Sequence, residues 1–426
     1  MSRKIDLTEL TDKQLEKMSK DLTITQEPSK YAFSAKPTYI SLVEAEGDVC
    51  YVPFAYASNY PRPERKDFTQ TELDFSGSLR EHQKVVRKEA IDSLNKTGSV
   101  IISCYCGFGK TILSVNLAIK LKLKTLILCH RIVLINQWKE AIARFCPSAT
   151  VQVLTGTSKM KDCDFYIINA INVPKHSRSF YSDIATVIID EAHLVLADKL
   201  SSSLRYLVPR YVIGLSATPY RPDGLDALFD LYFGTHKIIR KLFRRHTVYR
   251  VNTGIKPDVS LNRMGKVDWG SVIDSQCSNE KRNEMIIKVI KHFSERVFLV
   301  LCKRVDQANY LLNRLKEEGE DVTSLIGKNQ VYEQKSRILI GTSGKLGTGF
   351  DHPRLDSMIL ASDVEQYFVQ YLGRVFRRED VVPFIFDFVD DYALLHKHFR
   401  TRNAVYIEHG GVVKDFSKEF VNFFSE

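Results

Sequence analysis

An apolar run, Ser99-Val-Ile-Ile-Ser103, leads straight into Cys104-Tyr-Cys-Gly-Phe-Gly-Lys-Thr111, and an apolar-periodic stretch, Ile112 to Ile119, follows at once. This is the strand, glycine turn and helix that a phosphate-binding loop requires. Gly107 and Gly109 let the backbone aim N–H groups at a polyphosphate, and a helix starting near Lys110 adds the positive end of its dipole. The Lys110 ammonium is expected to reach the outer phosphates and the Thr111 hydroxyl to hold a magnesium ion. Cys104 stands where the usual pattern has its first glycine.

A second segment answers the first. Thr186-Val-Ile-Ile-Asp-Glu-Ala-His193 reads as a buried parallel strand with two carboxylates at its C-terminal edge. Asp190 is placed to complete a magnesium shell, and Glu191 to orient or deprotonate an attacking water. Either segment alone could be an ordinary turn; the two in this order point to nucleotide hydrolysis. Gly214-Leu-Ser-Ala-Thr-Pro219 puts Ser216 and Thr218 just past another strand end. Gln370-Tyr-Leu-Gly-Arg-Val-Phe-Arg377 spaces Gln370, Arg374 and Arg377 three to four residues apart, on one face of a helix. Such arginines are either surface charge or fingers that stabilise a transferring phosphoryl group.

Alternation sets the fold class. Apolar strand-like runs at 99–104, 125–129, 150–154, 165–168, 186–190 and 211–215 are separated by helical segments, which argues for a parallel sheet covered on both faces. Residues 256–395 repeat the pattern without a phosphate loop, with strands expected at 297–302, 337–341, 357–361 and 383–389 and a helix over 366–377. The spacing predicts a helix from Thr11 to Leu22, short strands around a Gly47-Asp48 turn, and a helix near Phe416–Phe424. Four regions follow: an N-terminal accessory domain (1–75), a first lobe (76–235), a basic linker (236–255) and a second lobe (256–426).

With these pieces placed, the chain resembles the superfamily 2 helicases of the Asp-Glu-Ala-His type. The resemblance rests on Leu79-Arg-Glu-His-Gln83, the phosphate loop, Leu126 to Trp138, the acidic box and Ser216-Ala-Thr218. It continues through Phe298-Leu-Val-Leu-Cys302, Gly341-Thr-Ser-Gly-Lys-Leu-Gly-Thr-Gly-Phe-Asp351 and the glutamine–arginine helix, covering roughly residues 77–395. Ser216-Ala-Thr-Pro-Tyr-Arg-Pro-Asp-Gly224 is similar to the xeroderma pigmentosum group B branch, and the phosphate loop to the transcript-release helicases of poxviruses and other large DNA viruses. The resemblance implies two RecA-like lobes in tandem, with ATP and Mg2+ held between them.

By the same resemblance, Gln83 and Arg80 read the adenine, and Cys106, Gly107, Phe108, Gly109, Lys110 and Thr111 cradle the phosphates. Gly349 and Asp351 touch the nucleotide from the second lobe, while Gln370, Arg374 and Arg377 act with Glu191 in catalysis. His193 relays the state of the γ-phosphate to Ser216, Thr218 and Gln370. Arg131, Thr155 and Thr342 grip nucleic-acid phosphates, although Cys129-His-Arg131 departs from the family's Pro-Thr and single threonines are often only caps. Asp351-His352-Pro353 is equally compatible with a plain turn.

Composition limits the partners. A net charge of +10 and a pI near 9.0 suit a polyanion, most naturally DNA, with RNA or a hybrid as the alternative. The basic run His236 to His246 could also be merely a solvated face. Eight cysteines without a Cys-x-x-Cys pair point to neither zinc nor disulfides, hence to a reducing compartment. No apolar stretch reaches eighteen residues and no signal-peptide core is present, so an intracellular site is expected: host cytoplasm or virion for a viral member, or the nucleus. Three functions remain in play: a DNA helicase serving viral transcription or repair, a duplex translocase that never separates strands, and a nucleic-acid clamp without turnover.

Overall fold

A computed structural model describes residues 2–26, 38–60, 67–105, 107–196, 202–216, 227–327, 331–346, 350, 352–364, 368–378 and 380–424. Of the candidate site residues, Cys106, Thr218, Gly349 and Asp351 lie outside the described residues, as does the side chain of Gln370. The chain divides into two compact units, Met1–Cys104 with Phe108–Arg240, and Tyr105–Gly107 with Lys241–Glu426.

The first unit begins with short strands β1 (Ser2–Asp6), β2 (Thr23–Gln26), β3 (Thr38–Ser41), β4 (Glu44–Glu46) and β5 (Val49–Pro53). They form an antiparallel sheet ordered β1-β5-β4 and a separate β2–β3 pair, with Gly47 at φ +61° turning β4 into β5. A helix over Asp12–Asp21 lies where the apolar spacing predicts one. Ile5, Val52 and Phe54 pack in the same apolar cluster as Val187 and Phe229. These residues, from the stretch 1–75 expected to be an accessory domain, therefore share a core with the lobe that follows.

That lobe is a parallel sheet of β6 (Ser99–Cys104), β7 (Thr125–Cys129), β8 (Val151–Leu154), β9 (Phe165–Asn169), β10 (Thr186–Ile189), β11 (Tyr211–Ser216) and β12 (Lys237–Arg240), ordered β12-β6-β11-β10-β7-β9-β8. Every residue of β6, β7 and β10 is buried, as their largely apolar runs require when helices cover both faces. The helix Glu81–Thr97 opens with the Arg80 N–H donated to Gln83 Oε1 at 2.9 Å and closes at Gly98, φ +82°. Because β11 lies between β6 and β10, the phosphate loop, Ser216 and the acidic box emerge side by side at one sheet edge.

The second unit is also parallel: β13 (His246–Asn252), β14 (Phe298–Cys302), β15 (Val322–Leu325), β16 (Ile338–Thr342), β17 (Ser357–Leu360), β18 (Phe384–Val389) and β19 (Gly411–Asp415), ordered β15-β16-β14-β17-β18-β13-β19. Alternation along β14 divides its faces between two cores. Phe298 and Val300 join Ile340 and Phe386, whereas Leu299 and Leu301 join Leu339 and Ile385.

The stretch 236–255, expected as a linker, is not an open tether. It carries β12 of one sheet and β13 of the other: Ile238 is buried on β12, while Val248 and Val251 on β13 face opposite sides of the second sheet and enter its two different cores. The expected terminal helix is only Phe416–Glu419; Phe416 and Phe420 pack their rings on Tyr249, and Phe423 packs on His292.

Buried charge anchors the helix Ala393–Glu408 to the second sheet. Arg402 donates to both oxygens of Asp387 at 2.8 Å and to Asp363 at 2.6 Å, and Tyr406 donates to Asp387 at 2.9 Å. Arg282, fully buried, pairs with Asp390 at 2.9 Å, which also accepts from Gln276 and Thr253.

Candidate nucleotide site

The phosphate loop follows β6. Gly107 and Gly109 have φ of +90° and +88°, a left-handed backbone that glycine adopts without strain. Gly109 is also sterically pinned: a β-carbon there would come 2.4 Å from Gln83 Nε2. Gln83 is buried and tied to the loop, its Nε2 donating to the Phe108 carbonyl at 2.9 Å while Oε1 accepts from the Arg80 N–H. The residue expected to read adenine thus also braces the loop, and Arg80 caps the helix through its backbone. Lys110 begins the helix Lys110–Leu121 and donates from Nζ to the Cys104 carbonyl at 2.7 Å, spanning the loop's base. Thr111, half-buried, is in the same first turn. Cys104, in the position of the pattern's first glycine, is buried, and burial pushes its thiol up to about 11, so it acts as a small neutral apolar group.

The acidic box leaves β10 one strand removed. Asp190 is buried; its Oδ2 accepts from the Trp138 indole Nε1–H at 2.9 Å and its Oδ1 from the Glu191 N–H at 3.1 Å. Burial, with Glu191 adding, pushes the Asp190 carboxyl up to about 6, against the pull of Trp138 and Lys110. Glu191 has φ +50° and ψ +56°, left-handed for a residue with a β-carbon. Its Oε2 is buried without a hydrogen-bond donor and lies 3.5 Å from His193 Nδ1. His193 Nδ1 is 2.9 Å from Ser216 Oγ, which joins the box to the end of β11; the tautomer decides which atom donates.

No cluster of three or more His, Cys, Asp or Glu suited to a metal occurs among the described residues. One buried carboxylate and one hydroxyl match what magnesium takes from a protein when phosphate oxygens and water complete its octahedron. Asp190 and Thr111 fit that role.

The other candidates fall in two places. Arg131, exposed, caps the helix Ile132–Phe145 beyond β7, and Thr155 lies in an exposed turn beyond β8, its Oγ1 3.0 Å from Ser158 Oγ. In the second unit Thr342 ends β16. The helix carrying Gln370 covers Phe368–Val375, so Arg377 lies past its end, not on the shared face that the spacing suggested. Arg374 donates from Nη1 to the Phe350 carbonyl at 2.8 Å. Sequence reasoning missed two neighbours of the acidic box. Trp138 reads as core because it continues the apolar spacing of Leu134, Ile135 and Ile142. His130, whose ring nitrogens are buried without hydrogen bonds, carries no motif; burial, then Arg131 and His193, press its pKa down to about 4.

A two-sheet chain with this loop and box is that of a nucleotide-driven motor, and the comparisons agree. Residues 76–221 match the family model described as type III restriction enzyme, res subunit. The protein named helicase 161L of invertebrate iridescent virus 6 is 44% identical, over 98% of this chain and 100% of the relative. Its frog virus 3 counterpart, helicase 055L, is 33% identical over 87% of each chain, and the transcript termination protein A18 of myxoma virus is 25% identical over 83% of each. Yeast Dbp5, solved with RNA and ADP BeF3, shares the fold at a TM-score of 0.55 and 16% identity, covering 80% of this chain and 92% of Dbp5. The chain belongs to the superfamily 2 helicases, ATP-hydrolysing enzymes, among their viral members. No helix among the described residues is long and apolar enough to cross a membrane.

Proposed function

We propose that this chain is a DNA-directed helicase that couples Mg-ATP hydrolysis to movement along nucleic acid, in viral transcript release or repair. The observation that carries the proposal is the convergence of Lys110, Asp190, Glu191 and the His193–Ser216 pair on neighbouring strand ends. The A18 relative's name supports the transcriptional setting. Residues 76–235 serve as the ATP-binding lobe and 256–426 as its partner, with 1–75 accessory.

In this reading Gln83 and Arg80 border the adenine, Lys110 neutralises the outer phosphates, and Thr111 and Asp190 hold Mg2+. The metal, when bound, supplies charge neutralisation at the phosphate oxygens. Glu191 Oε2 takes a proton from the attacking water or orients it. Gly349 and Asp351 complete the nucleotide contacts, while Gln370 acts in catalysis with the second unit's Arg374 and Arg377, which stabilise the transition-state charge. The state of the γ-phosphate passes from His193 to Ser216 and Thr218. Arg131, Thr155 and Thr342 grip backbone phosphates, so affinity falls steeply with salt and depends little on sequence.

ATPase measured against single-stranded, duplex, tailed and RNA substrates tests the reading, with strand-displacement and triplex-displacement assays beside it. DNA stimulation with strand displacement supports it. Triplex displacement alone makes the protein a duplex translocase, stronger RNA stimulation makes it an RNA helicase, and no stimulated hydrolysis makes it a clamp.

A further inference from the structure

We infer that Trp138 is a positioning residue for the metal-binding carboxylate, a role that rests on the reading of Asp190 as the magnesium ligand. Trp138 is 1% exposed on the inner face of the helix Ile132–Phe145. An indole offers one N–H and accepts nothing, and a buried one requires a partner. Here that partner is Asp190 Oδ2, at 2.9 Å. The Glu191 N–H holds Oδ1, and the Asp190 N–H donates to the Leu128 carbonyl at 3.0 Å. Two donors, one on each oxygen, fix the rotation of the carboxylate and leave lone pairs on both oxygens for an ion.

The indole therefore does for Asp190 what outer-shell donors do for metal ligands elsewhere. It sets the direction of the ligand before the ion arrives, and losing such a partner typically costs 10–100-fold in metal affinity or activity. Hydrophobic packing alone would be served equally well by phenylalanine. The N–H is the part that phenylalanine lacks.

The sequence contains only two tryptophans, so Trp269→Phe leaves Trp138 as the sole indole emitter. Trp269 is in the second unit, with its ring against His398. In full-length W269F, titrating MgCl2 in the presence of AMP-PNP is expected to change Trp138 emission, and Asp190→Asn is expected to abolish that change. Trp138→Phe is expected to raise the Mg2+ needed for half-maximal ATP hydrolysis by about tenfold, while binding of a fluorescent ATP analogue in EDTA stays as in the parent. Emission that ignores Mg2+, or an unchanged Mg2+ requirement in W138F, overturns the inference provided that D190N raises that requirement. If D190N leaves the requirement unchanged, the reading of Asp190 falls, and this inference falls with it. Should W138F fail to fold, the emission titration, which keeps Trp138 intact, decides alone.

Discussion

Glu191 is expected to weaken the fold it serves, and a three-variant comparison measures by how much. Its φ of +50° is one of three positive values among the described non-glycine residues. The left-handed region costs an L-residue roughly 1–2 kcal/mol. Glu191→Ala removes the carboxylate, its repulsion of Asp190 and its contact with His193, but keeps a β-carbon in the strained conformation. Glu191→Gly removes the same groups and the strain as well. No side-chain cap is lost in either, because Glu191 makes none at the helix it precedes. The difference between the two variants isolates the backbone strain, less the extra entropy that glycine gains on unfolding, about 0.5–1 kcal/mol. A net advantage to glycine of about 1 kcal/mol corresponds to a melting temperature some 2–4 °C higher for a unit of this size. Calorimetric melting of the nucleotide-free protein reads it, and Glu191→Gln serves as a control that keeps both side-chain volume and strain. All three variants are expected to lose ATP turnover. A glycine variant that melts below the alanine variant refutes the argument: the strain would then be smaller than the entropy of about 0.5–1 kcal/mol that glycine gains on unfolding.

Four further outcomes follow from named contacts. Gly109→Ala forces Gln83 off the loop and is expected to cost about 2–4 kcal/mol in stability, combining backbone strain with a lost buried hydrogen bond; chemical denaturation checks this, and Gln83→Ala in the same chain should recover part of the loss. Arg402→Ala strands the Asp387 and Asp363 carboxylates and should destabilise the second unit by roughly 3–5 kcal/mol, seen in its melting transition. Arg377→Ala should retain ATP binding while turnover falls at least about a hundredfold, and lysine should not restore it, since it lacks the planar fork; single-turnover hydrolysis reads both. His130, His246 and His352 have pKa values lowered mainly by burial, His130 to about 4. The unfolded chain takes up those protons below about 6.5 and the folded chain does not, so stability is complete above that pH and is lost as pH falls toward 4. His130 accounts for at most roughly 3 kcal/mol of this, and His130→Asn should flatten the acid limb of a stability–pH profile.

How much was legible depends on how far each feature reaches along the chain. Strands such as Thr125–Cys129 and Thr186–Ile189 announce themselves because parallel strands buried on both faces read as near-continuous apolar runs, a purely local signal. The phosphate loop and acidic box are local too. The spacing of Arg374 and Arg377 says nothing about where a helix stops, so the end at Val375 was out of reach. Basic letters in 236–255 masked the buried apolar positions Ile238, Val248 and Val251 between them. The Trp138–Asp190 bond joins residues 52 positions apart, and on its own helix Trp138 cannot be told from a core residue. Buried Arg402 and Arg282 look like surface charge until the partners that neutralise them are placed.

The position of β13 bears on how the protein is made. The strand is an early one of the second unit, yet its two neighbours are β18 and β19, so Thr247 pairs with Phe384 and Val412. Until the ribosome has added residues as far as Asp415, β13 has at least one bare edge of unpaired amides and carbonyls. Closure across such sequence distances is slow, and a waiting apolar strand is the kind of segment that pairs with a neighbouring chain. Nascent second units are therefore exposed to mispairing for as long as roughly 165 residues take to translate, about 8–33 s at 5–20 residues per second. A stop codon just before β19 would leave the first sheet whole and would bare for good the edge of β13 that β19 otherwise covers.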